Sequence, residues 1–185
     1  MFGNYNDIVK KIAVTLLCLL FYKIAMMITL PGVNINLMNG IVENNSFLKT
    51  LNFFYGGGIE RCSILALSIM SYMSATILVQ ILSSDIGLDF FKKLKADKDM
   101  GPTKLNTWTK IFTFLISITN AYMIVSHIFY QYQNGAPIVC ISKALFYVTS
   151  IPILVAGSML SIWLSNQITK KGVGNGISVI IFFNV

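Results

Sequence analysis

The sequence predicts an all-α polytopic membrane protein, and three observations carry that prediction. Hydrophobic residues make up 55% of the 185 and charged ones 11%, against about 25% charge in an ordinary soluble domain. The apolar residues fall in long blocks near the roughly 20 residues that a helix needs to cross a bilayer core. Lysines and the single arginine gather on alternate connections between those blocks, the charge asymmetry that orients membrane helices.

The first block, residues 12–30, is interrupted only by Lys23 and ends at Pro31-Gly32. A secretory signal peptide would also start with basic residues, here Lys10 and Lys11, but it needs a small-x-small cleavage site. None follows, so the block reads as a retained first span. The second block, 62–84, carries no formal charge. The third covers 111–130 and the fourth 144–164, with His127 as the one titratable imidazole; it reads either as a proton relay or as a packed, hydrogen-bonded side chain. The fifth, 177–185, is too short to cross and reads as a truncated span.

Counting basic residues gives the orientation. Lys10, Lys11, Lys92, Lys93, Lys95, Lys98, Lys104, Lys110, Lys170 and Lys171 fall on one side; Lys49, Arg61 and Lys143 fall on the other, and Lys23 completes the fourteen. The crowded side is cytoplasmic, and with it the N-terminus. The net charge of +7 is mostly this asymmetry, so nucleic acid is a poor partner for it. Cys18, Cys62 and Cys140 share no metal spacing and are odd in number. No nucleophilic triad, carboxylate pair or metal set points to an enzyme, and no cofactor is expected.

Two glycine clusters break the blocks. In "KKGVGNG", Gly172, Gly174 and Gly176 lack the spacing and the preceding strand of a dinucleotide fingerprint; they supply a permissive turn, a hinge into the fifth span. Gly56, Gly57 and Gly58, in "FFYGGGIERCSILALSIMSYMSATILVQIL", open a stretch that reads as half helical and half broken. Irregular backbone at membrane depth is confined to protein interiors and aqueous cavities, so the stretch is either a re-entrant segment or an ordinary outer loop.

These residues, with "TLPGVN" after the first span and "WLSNQITKKGVGNGISVIIF" into the fifth, resemble the SecY-type preprotein translocase channel family over essentially the whole chain. The resemblance implies the N-terminal, five-helix half of a ten-helix inverted-repeat channel, its fifth helix cut short. It implies a passive pore that conducts unfolded secretory proteins and releases membrane proteins sideways into lipid. A plug would span about residues 54–67, including Gly56, Gly57, Gly58, Arg61, Ser63 and Leu65. Ile69, Met73, Ile177 and Ile181 match pore-ring positions, each pair four apart on one helix face. Ser71, Ser74, Thr76 and Gln80 match a polar seam of the lateral gate. Implied partners are SecE- and SecG-type small membrane subunits, a SecA-type motor ATPase or a ribosome, signal-sequence-bearing preproteins and membrane lipid. The implied location is a bacterial plasma membrane or a bacterial-derived organelle membrane. Ser68 and Ser71 stand where relatives usually have Gly and Pro, and Asn166, Lys170 and Lys171 replace the acidic and arginine residues common near the last motif. Half of a small-solute transporter would share inverted repeats and broken helices, but it should cluster polar groups at mid-span, where only Lys23 and His127 lie.

The topology is directly testable. Single cysteines introduced by Lys95→Cys and Gln133→Cys should react with an impermeant thiol reagent from opposite sides of the membrane; reaction of both from one side would reject it.

Overall fold

A computed structural model describes residues 3–54, 57–84, 90–91, 94, 101–130, 132–133, 136–137 and 139–184. Seven helices and one short hairpin lie among them: α1 Gly3–Met27, α2 Ile35–Asn44, α3 Ser46–Phe54, α4 Ser68–Leu82, α5 Gly101–Phe129, β1 Tyr132–Gln133, β2 Ala136–Pro137, α6 Lys143–Lys171 and α7 Gly176–Asn184. β1 and β2 pair antiparallel. Two helix stretches, Lys104–Phe129 and Lys143–Lys171, are long and apolar enough to cross a membrane.

α6 is the central helix and packs against α1, α4, α5 and α7. Its sequence explains the position. Ser150, Gly157, Ser158, Ser161 and Ser165 are all buried, and such small residues let neighbouring backbones approach closely where dispersion and packing, rather than water, drive association. α5 answers with Thr109, Thr113, Ser117, Ala121 and Val125, buried at every fourth position. Hydroxyls on this stripe need no partner on another helix: Thr109 donates to the Leu105 carbonyl at 2.9 Å and Thr113 to the Thr109 carbonyl at 2.6 Å. α1 buries Thr15, Cys18, Leu19, Tyr22, Ala25 and Met26 on one face, while Leu16, Leu17, Leu20 and Phe21 on the other remain exposed. A helix apolar all round belongs to a protein interior or a membrane.

Two expected spans are cut back as helices at one end. The first, although it begins earlier, at Gly3, stops at Met27 rather than at residue 30, and the second begins at Ser68 rather than at 62. The two cut-backs share one cause. Residues 28–30 and 62–64 leave their helices to pair with each other: the Leu30 amide donates to the Cys62 carbonyl and the Ile64 amide to the Ile28 carbonyl, both at 3.0 Å, around a bridge between Thr29 and Ser63. α4, at 15 residues, is about 22 Å long at ~1.5 Å per residue, short of the ~30 Å hydrocarbon core. The third and fourth spans, by contrast, run on past their expected bounds, the third at its N-terminal end to Gly101 and the fourth chiefly at its C-terminal end to Lys171.

α2 and α3 fall between the first two spans, where the sequence reading expected only a connection. Gly32, at φ +83°, turns the chain after α1. Asn34 then caps α2, its side-chain oxygen accepting from the Asn36 amide at 3.2 Å. The loop before α6 closes over this turn, with Cys140 donating to the Gly32 carbonyl at 3.0 Å and Val139 bridging to Val33.

A side chain at Gly157 would overlap the Ile64 carbonyl oxygen, which is backbone and cannot move aside. Gly157→Leu should therefore destabilise the fold by roughly 2–4 kcal/mol, the scale of severe core overpacking. Thermal unfolding in detergent should show it, whereas Gly174→Ala should shift the same midpoint by much less.

Candidate functional site

Residues 57–67 form a succession of turns rather than a helix, and they run between the two cores of the bundle. Cys62 and Leu67 pack with Leu30, Met38, Val42, Ala121, Val125 and Leu154. Leu65 turns the other way, into Cys18, Leu19, Tyr22, Leu164, Ile168 and Ile180. The backbone earns this path by local bonding. Gly57 takes φ +83° and Cys62 φ +46°, a left-handed geometry that costs an L-residue roughly 1 kcal/mol. Ser63 is fully buried; its amide donates to the Gly58 carbonyl at 2.9 Å and its hydroxyl accepts from the Leu65 amide at 3.1 Å.

Of the six residues expected on this segment, Gly57 and Gly58 lie in its first turn, Ser63 and Leu65 are buried and Arg61 is exposed. Gly56 is outside the described residues. Glu60, which the sequence reading passed over, is held more tightly than any of them. Its carboxylate accepts from Asn52 Nδ2 at 2.8 Å, its amide donates to Asn52 Oδ1 at 3.0 Å, and Asn39, with its amide nitrogen turned toward it, donates to the Glu60 carbonyl at 3.1 Å.

The four positions expected in a pore ring lie in the first half of α4 and along α7. Met73 is exposed, and Ile177 and Ile181 are half-buried; the Ile69 side chain is outside the described residues. A cavity of about 20 Å³, lined by Tyr72, Ser161, Ser165, Asn166, Ile177 and others, brings the start of α7 beside the residue that precedes Met73. That volume suffices for about one water. Val79 and Ile180, by comparison, are buried in packing contacts.

The expected gate seam is not one face. Ser71 points into the bundle, fully buried, and accepts from Asn120 Nδ2 on α5 at 3.3 Å. Thr76 and Gln80, five and nine residues on, lie on the opposite side of α4. There Thr76 bonds to the Tyr72 carbonyl of its own helix at 2.9 Å, and Gln80 is exposed, as is Ser74. The cross-helix bond thus joins Ser71 to Asn120, a residue whose signal was a lone carboxamide in an apolar block.

The three glycines expected to form a hinge each do something different. Gly172 ends α6, its amide bonded to the Ile168 carbonyl at 2.7 Å, and Gly174 sits at φ +75°, where a Cβ would meet only Val179, at 4.0 Å. Gly176 starts α7 against the Ser165 backbone, where a Cβ would overlap the carbonyl. Three polar side chains hold the turn. Thr15 of α1 accepts from the Val173 amide at 3.0 Å and Thr169 from the Gly176 amide at 2.9 Å. Asn175 accepts from the Ile177 amide at 3.1 Å, which satisfies orphan donors at the helix start.

The sequence model of the SecY family matches residues 63–185. The chain is 35% identical to the protein translocase subunit SecY of Rickettsia typhi over 182 residues, covering 97% of this chain and 42% of that protein. It is also 35% identical to the protein translocase subunit SecY of Staphylococcus epidermidis over 184 residues, covering 100% of this chain and again 42% of the relative. The chain thus spans less than half the length of these curated relatives. In fold it is similar to Sec61 in the canine ribosome-channel complex from the endoplasmic reticulum, with a TM-score of 0.64, 19% identity, and 96% of this chain and 36% of that one covered.

The turn gives a graded test. Gly174→Val should cost about 1–2 kcal/mol, because a β-branched residue is strained at positive φ whatever the space around it. Gly174→Asn should cost less than half of that. Equal losses in chemical denaturation would mean that backbone conformation is not what the glycine supplies.

Proposed function

The chain belongs to the SecY family, and we propose that it forms the N-terminal part of a protein-conducting channel whose remaining wall is supplied by sequence beyond the portion of its relatives that it spans. In this reading the channel is a passive multi-pass pore in a bacterial or bacterial-derived membrane, with the N-terminus cytoplasmic. It conducts unfolded secretory proteins and releases membrane proteins laterally.

The observation that carries the proposal is the non-helical run of residues 57–67, which enters both cores through the buried Cys62, Leu65 and Leu67. Inside an apolar bundle an irregular backbone is admissible only where protein or an aqueous path satisfies it. A segment held by two ladder bonds, local turns and a few side chains can occupy such a path and also leave it, as a plug must. A transporter would use the same space for charged binding groups, but the side chains buried here are Cys62, Ser63 and Leu65, and the two charged residues of the segment, Glu60 and Arg61, are half-buried and exposed.

Ile69, Met73, Ile177 and Ile181 form the constriction below the plug in this reading. Apolar side chains there gate water and ions by dewetting and deform around a passing chain. α4 and α5 supply this side of the lateral gate, and the Ser71–Asn120 bond holds them together. Its length of 3.3 Å suits a contact of around 1 kcal/mol, made within this side of the gate and not across it. SecE- and SecG-type subunits, a SecA-type motor or a ribosome, and signal-sequence-bearing preproteins are the partners this role requires. The ribosome-channel assembly that contains the structural neighbour supports a ribosome among them.

The ring assignment is tested in planar bilayers with the complete channel. Ile69→Asn with Ile177→Asn should wet the constriction and raise the resting ion leak severalfold, because a polar lining removes the cost of holding water in a narrow passage. Val79→Asn with Ile180→Asn removes buried packing and should lower stability by a few kcal/mol without a comparable leak. Equal resting conductance for the two pairs would remove the ring assignment.

A further inference from the structure

Glu60 is the one residue of the turn segment whose amide, carbonyl and side chain are all bound by side chains of other elements. Asn52 on α3 makes two of these bonds, at 2.8 Å to the carboxylate and 3.0 Å from the amide. Asn39 on α2 makes the third, at 3.1 Å to the carbonyl, and also donates to the Ile35 carbonyl of its own helix at 3.1 Å. The Asn52 carbonyl further accepts from the Gly57 amide at 2.9 Å, so a single asparagine grips the segment at its first turn and again three residues later. The same α2 contributes Met38 and Val42 to the core that contains Cys62 and Leu67.

We infer that Asn39, Asn52 and Glu60 form a latch by which α2 and α3 hold residues 57–67 in their seated position. The latch is polar, lies at the outer end of the segment and is independent of the ladder to residues 28–30 deeper in the bundle. Its bonds are interchangeable with water once the segment moves, which distinguishes it from the buried packing of Leu65. Asn39 and Asn52 act as positioning residues: they touch no transported chain but set how readily the segment leaves. That the departure opens a pore rests on the channel reading; that the latch retains the segment does not.

Cys62 reports on the segment directly, since it is 2% exposed when seated. In the complete channel carrying Cys18→Ser and Cys140→Ser, the rate of Cys62 alkylation by an impermeant maleimide from the outer side measures release. Asn52→Leu removes both side-chain bonds at a half-buried position and should raise that rate about five- to tenfold. Glu60→Gln keeps a side-chain acceptor and the amide donor and should stay within about twofold of the parent. The same variants are measured with Cys62→Ser, Cys18→Ser, Cys140→Ser and a cysteine introduced by Thr113→Cys, because Thr113 is buried on α5 outside the two cores that the segment enters. A rise at Cys62 alone supports the latch. No rise, an equal rise at the cysteine introduced at Thr113, or a rise with Glu60→Gln as large as with Asn52→Leu overturns it. Resting conductance recorded in parallel separates the two claims: faster Cys62 alkylation without added conductance leaves the latch standing and removes the plug function.

Discussion

Eleven consecutive residues pass between the two cores of a helical bundle without a helix of their own, and the backbone amides and carbonyls of the buried ones need partners there. An unpaired buried backbone group costs as much as a lost hydrogen bond or more. The antiparallel exchange between residues 28–30 and 62–64 meets part of that demand. It also dictates where α1 ends and where α4 begins, and it places Leu65 and Leu67 on opposite sides, one in each core. Remove the exchange, and two helix boundaries and two cores lose their definition together.

The close packing around this segment follows from residue size. Gly157 admits the Ile64 carbonyl against α6, and Gly176 lets α7 begin against the Ser165 backbone. Both contacts use α6, the helix richest in buried serine. Serines there donate back to their own helix, as Ser158 does to the Leu154 carbonyl at 3.1 Å and Ser161 to the Gly157 carbonyl at 3.0 Å. Their hydroxyls are thus satisfied without constraining a neighbour, and the helix stays smooth enough for others to slide against it. Ser150 is the exception among the described residues, its hydroxyl buried with no hydrogen-bond partner.

Much of this arrangement was legible in the sequence because apolar length and charge asymmetry are strong, local signals. α5 and α6 follow from uncharged blocks, and the turn before α7 follows from three alternating glycines. The broken character of residues 57–67 was visible in Gly57 and Gly58, although its pairing with residues 28–30 was not, since a two-bond ladder has no compositional mark. α2 and α3 escaped notice because each is a short helix of mixed polarity whose stability comes from tertiary contacts. Glu60 escaped because an exposed-looking acid beside Arg61 resembles any loop residue. On α4, Ser71 and Gln80 look alike in the sequence as polar residues in a span, but their spacing puts them on opposite faces, one buried and one exposed.

The bond from the Val173 amide to Thr15 joins residues 158 apart in the chain. Its consequence is one of timing. At synthesis rates of about 5–20 residues per second, the acceptor on α1 waits roughly 8–30 s before its donor exists. For most of that interval the α1 face that carries Thr15, Cys18 and Tyr22 has no α6 to pack against. The nascent first helix must therefore be sheltered by lipid or by an insertion factor until the chain catches up with it.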